Sequence, residues 1–155
     1  MINSIEDNFD HPEVNKLLKK HFIELKAASP KGSTHVLDIP GLKEPSIKFW
    51  SLWEDNHLMG CGALKFLDKD HGEFKSIRVH DNFRAKGKGI DIINHLIEKA
   101  KELKIRRLSI ETGTGRFFSP ARKLFDNCGF SPCPPFAHYK EDVNSLYLTK
   151  LLNNN

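Results

Sequence analysis

Six consecutive residues near the middle of the chain have the types and spacing of a phosphate-binding turn: Arg84, Ala85, Lys86, Gly87, Lys88 and Gly89. They follow a strand-like run, Phe74 to His80, and precede an amphipathic helix pattern, Ile90 to Leu103. In such a unit the N–H groups of the turn and of the helix start converge, and the helix dipole adds positive charge. The glycines let an anion approach the backbone, and the basic side chains attract it. The pattern predicts a site for a phosphorylated ligand.

Two common phosphate-binding motifs do not fit this turn. A P-loop requires G-x-x-x-x-G-K-[ST], which the chain lacks. The dinucleotide fingerprint G-x-G-x-x-G fails because Ile92 stands where the third glycine is required. What remains is R-x-x-G-x-G between a strand and a helix. Taken alone, this pattern also fits a basic turn at a helix start, so the surrounding elements must decide.

The distribution of charge favours a small phosphorylated ligand over a nucleic acid. The chain has 155 residues, enough for one domain with a substantial core, and a formal net charge of +4. Residues Arg84 to Arg107 alone contain eight lysines and arginines against three acidic residues. The basic excess is therefore local to the turn and its helix, and no DNA- or RNA-binding motif accompanies it.

The sequence gives no indication of a metal site, a disulfide framework or a membrane segment. The three cysteines, Cys61, Cys128 and Cys133, are odd in number and form no C-x-x-C, which predicts reduced thiols. The turn Asp68 to Gly72 lacks the spacing and the terminal glutamate of a calcium loop. Met1 to Asp10 has no apolar signal core, and no apolar run approaches the ~20 residues that span a bilayer. We expect a cytoplasmic protein without a metal or a membrane partner.

The order of elements predicts an α+β fold, three-layer α/β in looser schemes, with a mixed, mostly antiparallel central sheet between helices. We expect one domain over residues 1–155. A helix starts at Pro12 with an apolar stripe that includes Phe22, and residues 33–46 are irregular with one helical turn. Because a helix joins the third meander strand to the next strand, that pair is predicted to be parallel. Gly60 and Gly62 suggest a β-bulge or a close backbone approach. A further helix is predicted over Ala121 to Cys128. The predicted strands are Ile2 to Ile5, Ile47 to Trp53, His57 to Leu67, Glu73 to His80, Arg106 to Thr112, a short one over Phe136 to Lys140, and Ser145 to Leu152.

This order of elements, together with the R-x-x-G-x-G turn, resembles the GNAT family, the Gcn5-related N-acetyltransferases, over nearly the whole chain. Three local features carry the resemblance. Glu73 stands eleven residues before Arg84, and the strand after the crossover helix reads Leu-Ser-Ile-Glu-Thr-Gly from Leu108. The later helix reads Ala-Arg-Lys-Leu-Phe-Asp-Asn-Cys-Gly-Phe from Ala121, close to the family's A-x-x-L-Y-x-x-x-G-F. The segments His35 to Asp38 and Pro135 to Lys140 also look like those of uncharacterised bacterial members.

The resemblance implies acetyl-CoA, or CoA, as the co-substrate and no metal. In the family the pyrophosphate lies on the turn, here Arg84 to Ile90. The pantetheine arm pairs like an extra strand with the last meander strand, here the backbone of Ile77, Arg78 and Val79, where two parallel strands splay apart. A strand end with free N–H and C=O groups is a suitable template for an amide-bearing chain. Phe125 is expected to pack against the ligand.

The implied reaction is acetyl transfer to a primary amine by direct attack in a ternary complex. A base must remove the proton of the amine. Histone-acetyltransferase members place their base at the offset of Glu73, and Glu111, on the neighbouring strand near the splay, is the second candidate. The alternative for Glu73 is a strand glutamate that faces solvent. His80 and His138 are weaker candidates for a proton relay.

The chain departs from the family where many members have a tyrosine, since Phe125 stands at that position and cannot donate a proton. Tyr139 and Cys128 are possible substitutes. Alternatively no acid is used, because a thiolate with a pKa near ~8.5 is a tolerable leaving group. The same departure keeps open a non-catalytic, CoA-binding regulator on this fold.

The acceptor remains open between a small-molecule amine and a peptide lysine, and a homodimer is possible. We expect its pocket between residues 33–46, the first meander strands and Pro134 to Asp142. His35 and Asp38 are the polar candidates of the first segment. Aromatic candidates for the pocket wall are Phe49, Trp50, Trp53, Phe136 and Tyr139.

Overall fold

Seven strands in one sheet form the centre of the computed structural model, which describes residues 1–152 apart from the side chain of Ala85. The strands are β1 (Asn3–Glu6), β2 (Ile47–Glu54), β3 (His57–Phe66), β4 (His71–Val79), β5 (Arg107–Gly113), β6 (Ser131–Pro132) and β7 (Ser145–Leu151). The helices are α1 (Pro12–Ala28), the single turn α2 (Ile39–Leu42), α3 (Lys88–Glu102) and α4 (Ser119–Asn127), with short 3₁₀ helices at Asp81–Lys86 and Arg116–Phe118. The strand order is β1-β2-β3-β4-β5-β7-β6.

The predicted fold class is confirmed: the sheet is mixed, mostly antiparallel and flanked by helices. β4 and β5 pair in parallel across the α3 crossover, as predicted, and the other neighbouring strands within the described range pair antiparallel. The helical turn inside residues 33–46 is α2, where Asp38 caps the helix by accepting from Gly41 N at 2.9 Å. That residues 1–155 form a single domain stays a prediction, and residues 153–155 lie outside the described part.

The strand predicted over Phe136 to Lys140 is wrong. Ser131 and Pro132 form the edge strand instead and pair with Thr149 and Leu148 of β7. Residues 136–139 make a turn in which Tyr139 N donates to Phe136 O at 3.0 Å. The prolines at positions 134 and 135 have no N–H to give to a ladder, and the φ of 53° at Ala137 lies outside the extended region of a regular strand.

Each face of the sheet carries its own hydrophobic core. Helix α1 begins at Pro12, where His11 Nδ1 accepts from Glu13 N at 3.2 Å, and it covers one face. Helix α3 covers the other face. The α1 side buries Val14, Leu17, Leu18, Phe49, Leu58 and Cys61, and the α3 side buries Leu64, Phe74, Ile92, Ile93, Leu96 and Leu108. Because side chains alternate along a strand, β4 and β5 send neighbouring residues to opposite faces.

The sheet opens between its two parallel strands. The pairing of β4 with β5 is limited to His71–Arg107, Gly72–Leu108 and Glu73–Ser109. Beyond Glu73, β4 continues beside β3, whereas β5 continues beside β7. The two strands thus separate over the last six residues of β4.

A β-bulge lies in the open part of β4. Ser76 and Ile77 stand opposite the single residue Gly62 of β3, and Ser76 has a φ of 54°. The bulge or close approach predicted from Gly60 and Gly62 is confirmed, with the extra residue of this bulge in the facing strand β4. At Gly60 a Cβ would lie 2.2 Å from the carbonyl oxygen of Arg78, so the close approach of β3 and β4 requires glycine there.

The remaining global expectations concern cysteines, metals and membranes. Cys61, Cys128 and Cys133 are free, and burial raises the pKa of Cys61 to about 12. Among residues 1–152 no group of three His, Cys, Asp or Glu side chains is arranged to hold a metal ion. None of the described helices combines the length and the apolar character required to cross a bilayer.

Candidate active site

A cavity of about 830 Å³ occupies the opening between β4 and β5. His21 and Leu25 of α1 line it from one face of the sheet, and Leu124 and Phe125 of α4 line it from the other. The cavity therefore reaches both faces through the gap between the two strands. Two ligands approaching from opposite faces would meet in this gap.

One end of the cavity is formed by the basic turn and the start of α3. Arg84, Gly87, Gly89 and Ile90 line it. Gly87 has a φ of 70°, and no side chain caps the first N–H groups of α3. Uncapped N–H groups at the start of a 15-residue helix are available to an anion.

The two glycines of the turn serve different purposes. At Gly87 the position of a Cβ is open space, so the left-handed backbone alone requires glycine there. At Gly89 a Cβ would lie 2.8 Å from Leu124 Cδ2. Gly89 therefore lets α4 pack closely against α3, a different reason from the anion approach that the sequence suggested.

The basic side chains of the turn already have partners. Lys88 Nζ lies 3.3 Å from Glu54 Oε2, and Lys86 Nζ lies over the Phe83 ring, 5.6 Å from its centroid. Arg84 Nε lies 3.3 Å from Asp81 Oδ1. Arg84, Gly87 and Gly89 are among the residues that line the cavity, whereas Lys86 and Lys88 are not. The predicted contact at Ala85 concerns a side chain outside the described part.

The predicted pantetheine strip, Ile77, Arg78 and Val79, lines the middle of the cavity. Its strand has no pairing with β5 at these positions. Phe125 also lines the cavity and packs edge-to-face on Phe130, with ring centroids 5.5 Å apart. The structure brings these predicted residues to one wall, and their contacts with a ligand remain predictions.

Glu73 lies where β4 and β5 separate, and its side chain is only 2% exposed. Its Oε2 accepts from the Tyr139 hydroxyl at 2.6 Å and from Lys75 Nζ at 3.3 Å. Lys75 Nζ also donates to the Tyr139 hydroxyl at 3.1 Å. Glu73 Oε1 is buried and has no hydrogen-bond partner within the described structure. The alternative of a solvent-facing strand glutamate is therefore wrong.

Tyr139 is engaged with Glu73 through its own proton. Burial and the neighbouring Glu73 carboxylate raise the pKa of Tyr139 well above its usual range. Its hydroxyl therefore keeps the proton and holds one carboxylate oxygen in place. His35 lies edge-to-face on the Tyr139 ring at 5.0 Å and lines the cavity.

Glu111 lines the same cavity. It lies on β5 two residues after Ser109, the partner of Glu73 in the last β4–β5 pair, so its side chain is on the same face of the sheet as that of Glu73. It accepts a hydrogen bond from Ser145 Oγ at 2.8 Å. Burial raises the pKa of Glu111 despite that hydrogen bond. The structure thus brings both candidate bases to one chamber.

Other polar candidates have structural roles. His80 caps the 3₁₀ helix by accepting from Asn82 N at 3.1 Å, and Asp38 caps α2. His138 is exposed and stacks on Tyr139. Of the aromatic candidates for the pocket wall, Phe49 and Trp53 lie in the core under α1, and Trp50 lies in the core under α3.

The sequence reasoning missed the side chains of His21, Lys75 and Ser76. The period of a strand places Lys75 on the same face as Glu73, so this residue could have been found. His21 is buried at helical spacing from Leu17 and Leu18, whereas Phe22, placed in the buried stripe by the prediction, is only half-buried. Ser76 depends on the bulge, which no local pattern locates to the residue.

Comparisons with known proteins agree with this architecture. Residues 12–130 match the Acetyltransferase (GNAT) family. The chain is 44% identical to YsnE of Bacillus subtilis, over 94% of this chain and 97% of the relative, and 40% identical to YedL of Escherichia coli, over 96% and 94%. Both relatives are described as uncharacterised N-acetyltransferases.

Solved structures share the fold over its full length. An acyl-CoA N-acyltransferase from Klebsiella pneumoniae superposes with a TM-score of 0.77 at 20% identity, covering 99% of each chain. The Campylobacter jejuni N-acetyltransferase PseH, solved in complex with acetyl coenzyme A, superposes with a TM-score of 0.68 at 19% identity. The match covers 99% of this chain and 100% of PseH. The family match and the two relatives show that this chain belongs to the GNAT family of N-acetyltransferases.

Proposed function

We propose that the protein transfers the acetyl group of acetyl-CoA to a primary amine by direct attack in a ternary complex. The observation that carries the proposal is one cavity that reaches both faces of the sheet at the splay of β4 and β5. The donor enters beside α3 and α4, and the acceptor enters beside α1. Membership of an acetyltransferase family favours this function over a non-catalytic CoA-binding regulator.

The donor site is supported by the turn and by the open edge of β4. The uncapped start of α3 and Arg84 suit a pyrophosphate group. The unpaired stretch from Ile77 to Val79 offers backbone N–H and C=O groups to an amide-bearing arm. Phe125 and Leu124 supply apolar contact on the α4 side. These features fit a pantetheine pyrophosphate.

Glu73 is the proposed base. Acetyl-CoA supplies an activated acyl group as a thioester. The amine nitrogen forms a bond to the acyl carbon, the carbon–sulfur bond breaks, and the sulfur leaves as the CoA thiolate. Glu73 Oε1 receives the proton of the amine, directly or through a water, because that oxygen is free while Tyr139 and Lys75 hold the other.

We assign Tyr139 a positioning role in place of the proton donation to sulfur that the sequence suggested. Its proton is engaged with Glu73, and its raised pKa disfavours donation to a thiolate. Phe125 offers no proton either, so the thiolate leaves without a side-chain acid. The CoA thiol has a pKa near ~8.5, so its thiolate can leave at neutral pH without being protonated by a side chain.

The test compares Glu73→Gln with wild type in an assay that follows CoA release with a thiol-reactive dye. We expect turnover to fall roughly 10²–10⁴-fold while the KM for acetyl-CoA stays unchanged, because only proton transfer is removed. The loss should shrink at high pH, where the amine is already neutral. Glu102→Gln, at an exposed position of α3, is the matched control and should keep full activity.

Two results would change the assignment. Full activity in Glu73→Gln together with a large loss in Glu111→Gln would make Glu111 the base. A wild-type protein that binds acetyl-CoA but acetylates no amine in a broad panel of small amines and peptides would exclude the proposed reaction.

A further inference from the structure

Unpartnered polar atoms are concentrated on one side of the cavity. Buried side-chain nitrogen and oxygen atoms without a hydrogen-bond partner are rare in proteins, and each requires an explanation. The described residues contain six such atoms, and five of them belong to residues that line this cavity. These five are both ring nitrogens of His21, Glu73 Oε1, Ser76 Oγ and Arg78 Nε. Their clustering indicates a ligand that supplies the missing partners.

The four residues offer a defined set of hydrogen bonds. Glu73, when ionised, only accepts, and Arg78 Nε only donates. Ser76 can do both, and a neutral His21 ring donates from one nitrogen and accepts at the other. A ligand with an N–H group at Glu73 and an oxygen acceptor toward Arg78 Nε, Ser76 Oγ and the donating nitrogen of His21 satisfies four of these five atoms, and the accepting nitrogen of His21 requires a separate donor. Glu73, Ser76 and Arg78 follow one another along β4, so the two requirements lie side by side.

The two ends of this side differ in charge. The side chain of Arg78 is 3% exposed. Its Nη1 lies 3.0 Å from Glu24 Oε1, and its Nη2 lies 3.4 Å from Asp81 Oδ1. Lys20 and Arg84 also pair with Asp81, and Arg84 is the cation proposed above for the pyrophosphate, so the remaining cations Arg78 and Lys20 balance the carboxylates Glu24 and Asp81. At the other end Glu73 and Glu111 outnumber the single cation Lys75. The end near Arg78 is thus less negative than the end near Glu73, so an ammonium group is favoured at Glu73 and a carboxylate is better accommodated near Arg78.

His21 belongs to the end near Arg78. Burial and the nearby charge of Arg78 lower the pKa of His21 to about 4, so its ring is neutral near pH 7. A neutral imidazole adds an N–H donor beside the guanidinium without adding a charge of its own. The pair resembles a carboxylate-binding arrangement more than an ammonium-binding one.

We propose that His21, Ser76 and Arg78 form an acceptor subsite that binds a carboxylate, so that the acetylated substrate is a small amine that also carries a carboxylate group. The inference rests on the proposed acetyl transfer at Glu73. The amine of the acceptor lies toward Glu73, and its carboxylate lies toward Arg78 Nε, Ser76 Oγ and the His21 ring. A polyamine, which carries only cationic groups, would leave Arg78 Nε without an acceptor and bring like charges together.

The test uses matched pairs of acceptors with the full-length protein and acetyl-CoA. Each pair consists of an amino acid and its carboxamide, which share one carbon skeleton and differ in the charge of the carboxyl group, and CoA release gives kcat/KM for both. The panel covers the common amino acids with amines at different distances from the carboxylate. We expect the preferred amino acid to exceed its carboxamide at least tenfold in kcat/KM.

Two substitutions connect that preference with the subsite. His21→Phe keeps a ring of similar size and removes both nitrogens, and Ser76→Ala removes only the hydroxyl. Each should lower the amino acid/carboxamide ratio of kcat/KM about tenfold, whereas Arg78→Lys should lower it while keeping the charge. His95→Phe is the matched control, since His95 Nε2 is also unpartnered but belongs to α3 and lies outside this cavity. It should keep the wild-type ratio.

Equilibrium binding of the same pairs to the CoA-loaded protein separates this proposal from the proposed reaction. Absence of acetyl transfer together with carboxylate-dependent binding that His21→Phe weakens would exclude the reaction and keep the subsite. Acetylation of both members of each pair at equal rates would overturn the subsite and keep the reaction. A panel in which no carboxylate-bearing amine binds or reacts would also overturn it, as would a ratio unchanged in His21→Phe and Ser76→Ala.

Discussion

Two glutamates lie in one chamber, and their surroundings separate their chemistry. Glu73 receives hydrogen bonds from Tyr139 and Lys75, whereas Glu111 receives one from Ser145. Burial raises the pKa of Glu111, so its charged form is the costlier one in the folded protein. Environment, more than residue type, therefore separates the chemistry of the two carboxylates, and this difference supports the proposal that Glu73 is the base.

The raised pKa of Glu111 predicts a pH-dependent loss of stability. The folded protein keeps the Glu111 proton at pH values where the unfolded chain, with an ordinary pKa of 4.5, has released it. The contribution of Glu111 to the free energy of unfolding is therefore fully present below about pH 4.5 and falls as the pH rises through the raised folded pKa. Glu111→Gln, which keeps an acceptor for Ser145, should be more stable than wild type at pH 7.

Urea unfolding at pH 4 and at pH 7 checks this expectation. The gain in Glu111→Gln should be present at pH 7 and absent at pH 4, where the wild-type carboxyl is protonated. Glu98→Gln, at an exposed position of α3, is the control and should show no such difference. An equal gain at both pH values would show that charge at Glu111 is not the cause.

At the residue scale, the sequence predicted positions better than contacts. The spacing of Glu73 from the turn and the position of Glu111 on the next strand place both residues in the cavity. The hydrogen bond from Tyr139 to Glu73 joins residues that are 66 positions apart, and no local pattern carries that information. In helix α1 the sequence placed Phe22 in the buried stripe, whereas the structure buries His21. Hydrophobicity alone ranks phenylalanine above histidine, so it does not predict the burial of His21.

At the element scale, the strand–turn–helix unit was predictable because its signal is local. A left-handed glycine, basic residues and an apolar helical stripe are contiguous in the chain. The packing reason for Gly89 was not predictable, because Leu124 belongs to α4 and meets Gly89 only in three dimensions. The edge strand β6 was missed for a similar reason, since two residues pair there only because β7 is already in place.

The turn yields a prediction about Gly87. Gly87→Glu forces a left-handed φ on a residue with a Cβ, at a cost of roughly 1–2 kcal/mol, and places a negative charge where an anion is expected. We expect the variant to fold and to lose the thermal stabilisation that CoA gives to wild type. Gly32→Glu is the matched control, because Gly32 also has a positive φ and open space at the Cβ position but does not line the cavity.

The two variants should lose similar stability without ligand and differ only when CoA is added. CoA stabilisation that survives in Gly87→Glu as well as in Gly32→Glu would place the pyrophosphate elsewhere.

At the scale of the whole molecule, the splay divides the sheet into β1–β4 and β5–β7. The parallel ladder between the halves consists of three residue pairs, and α3 connects β4 to β5 along the chain. The order of helices and strands predicted the parallel pair, because a helical crossover implies one. The resemblance to the GNAT family, and not that order, implied that the two strands splay apart. The extent of the opening was not predictable from residue patterns, since it depends on where β4 leaves β5 and follows the bulged partner β3.

A ligand that fills the gap should tie the two halves together and stabilise the folded state. A ligand that binds only the folded protein adds about 2.7 kcal/mol at a concentration a hundredfold above its Kd. For a chain of this length that corresponds to a rise in Tm of roughly 5–10 °C. We expect CoA and acetyl-CoA to produce this rise in a thermal unfolding scan, and the rise should grow with the logarithm of ligand concentration.

NAD is the comparison ligand, because it carries a pyrophosphate but no pantetheine arm to pair with Ile77 to Val79. A comparable rise with NAD, or a rise with NAD and none with CoA, would contradict the assignment of the gap between β4 and β5 to pantetheine.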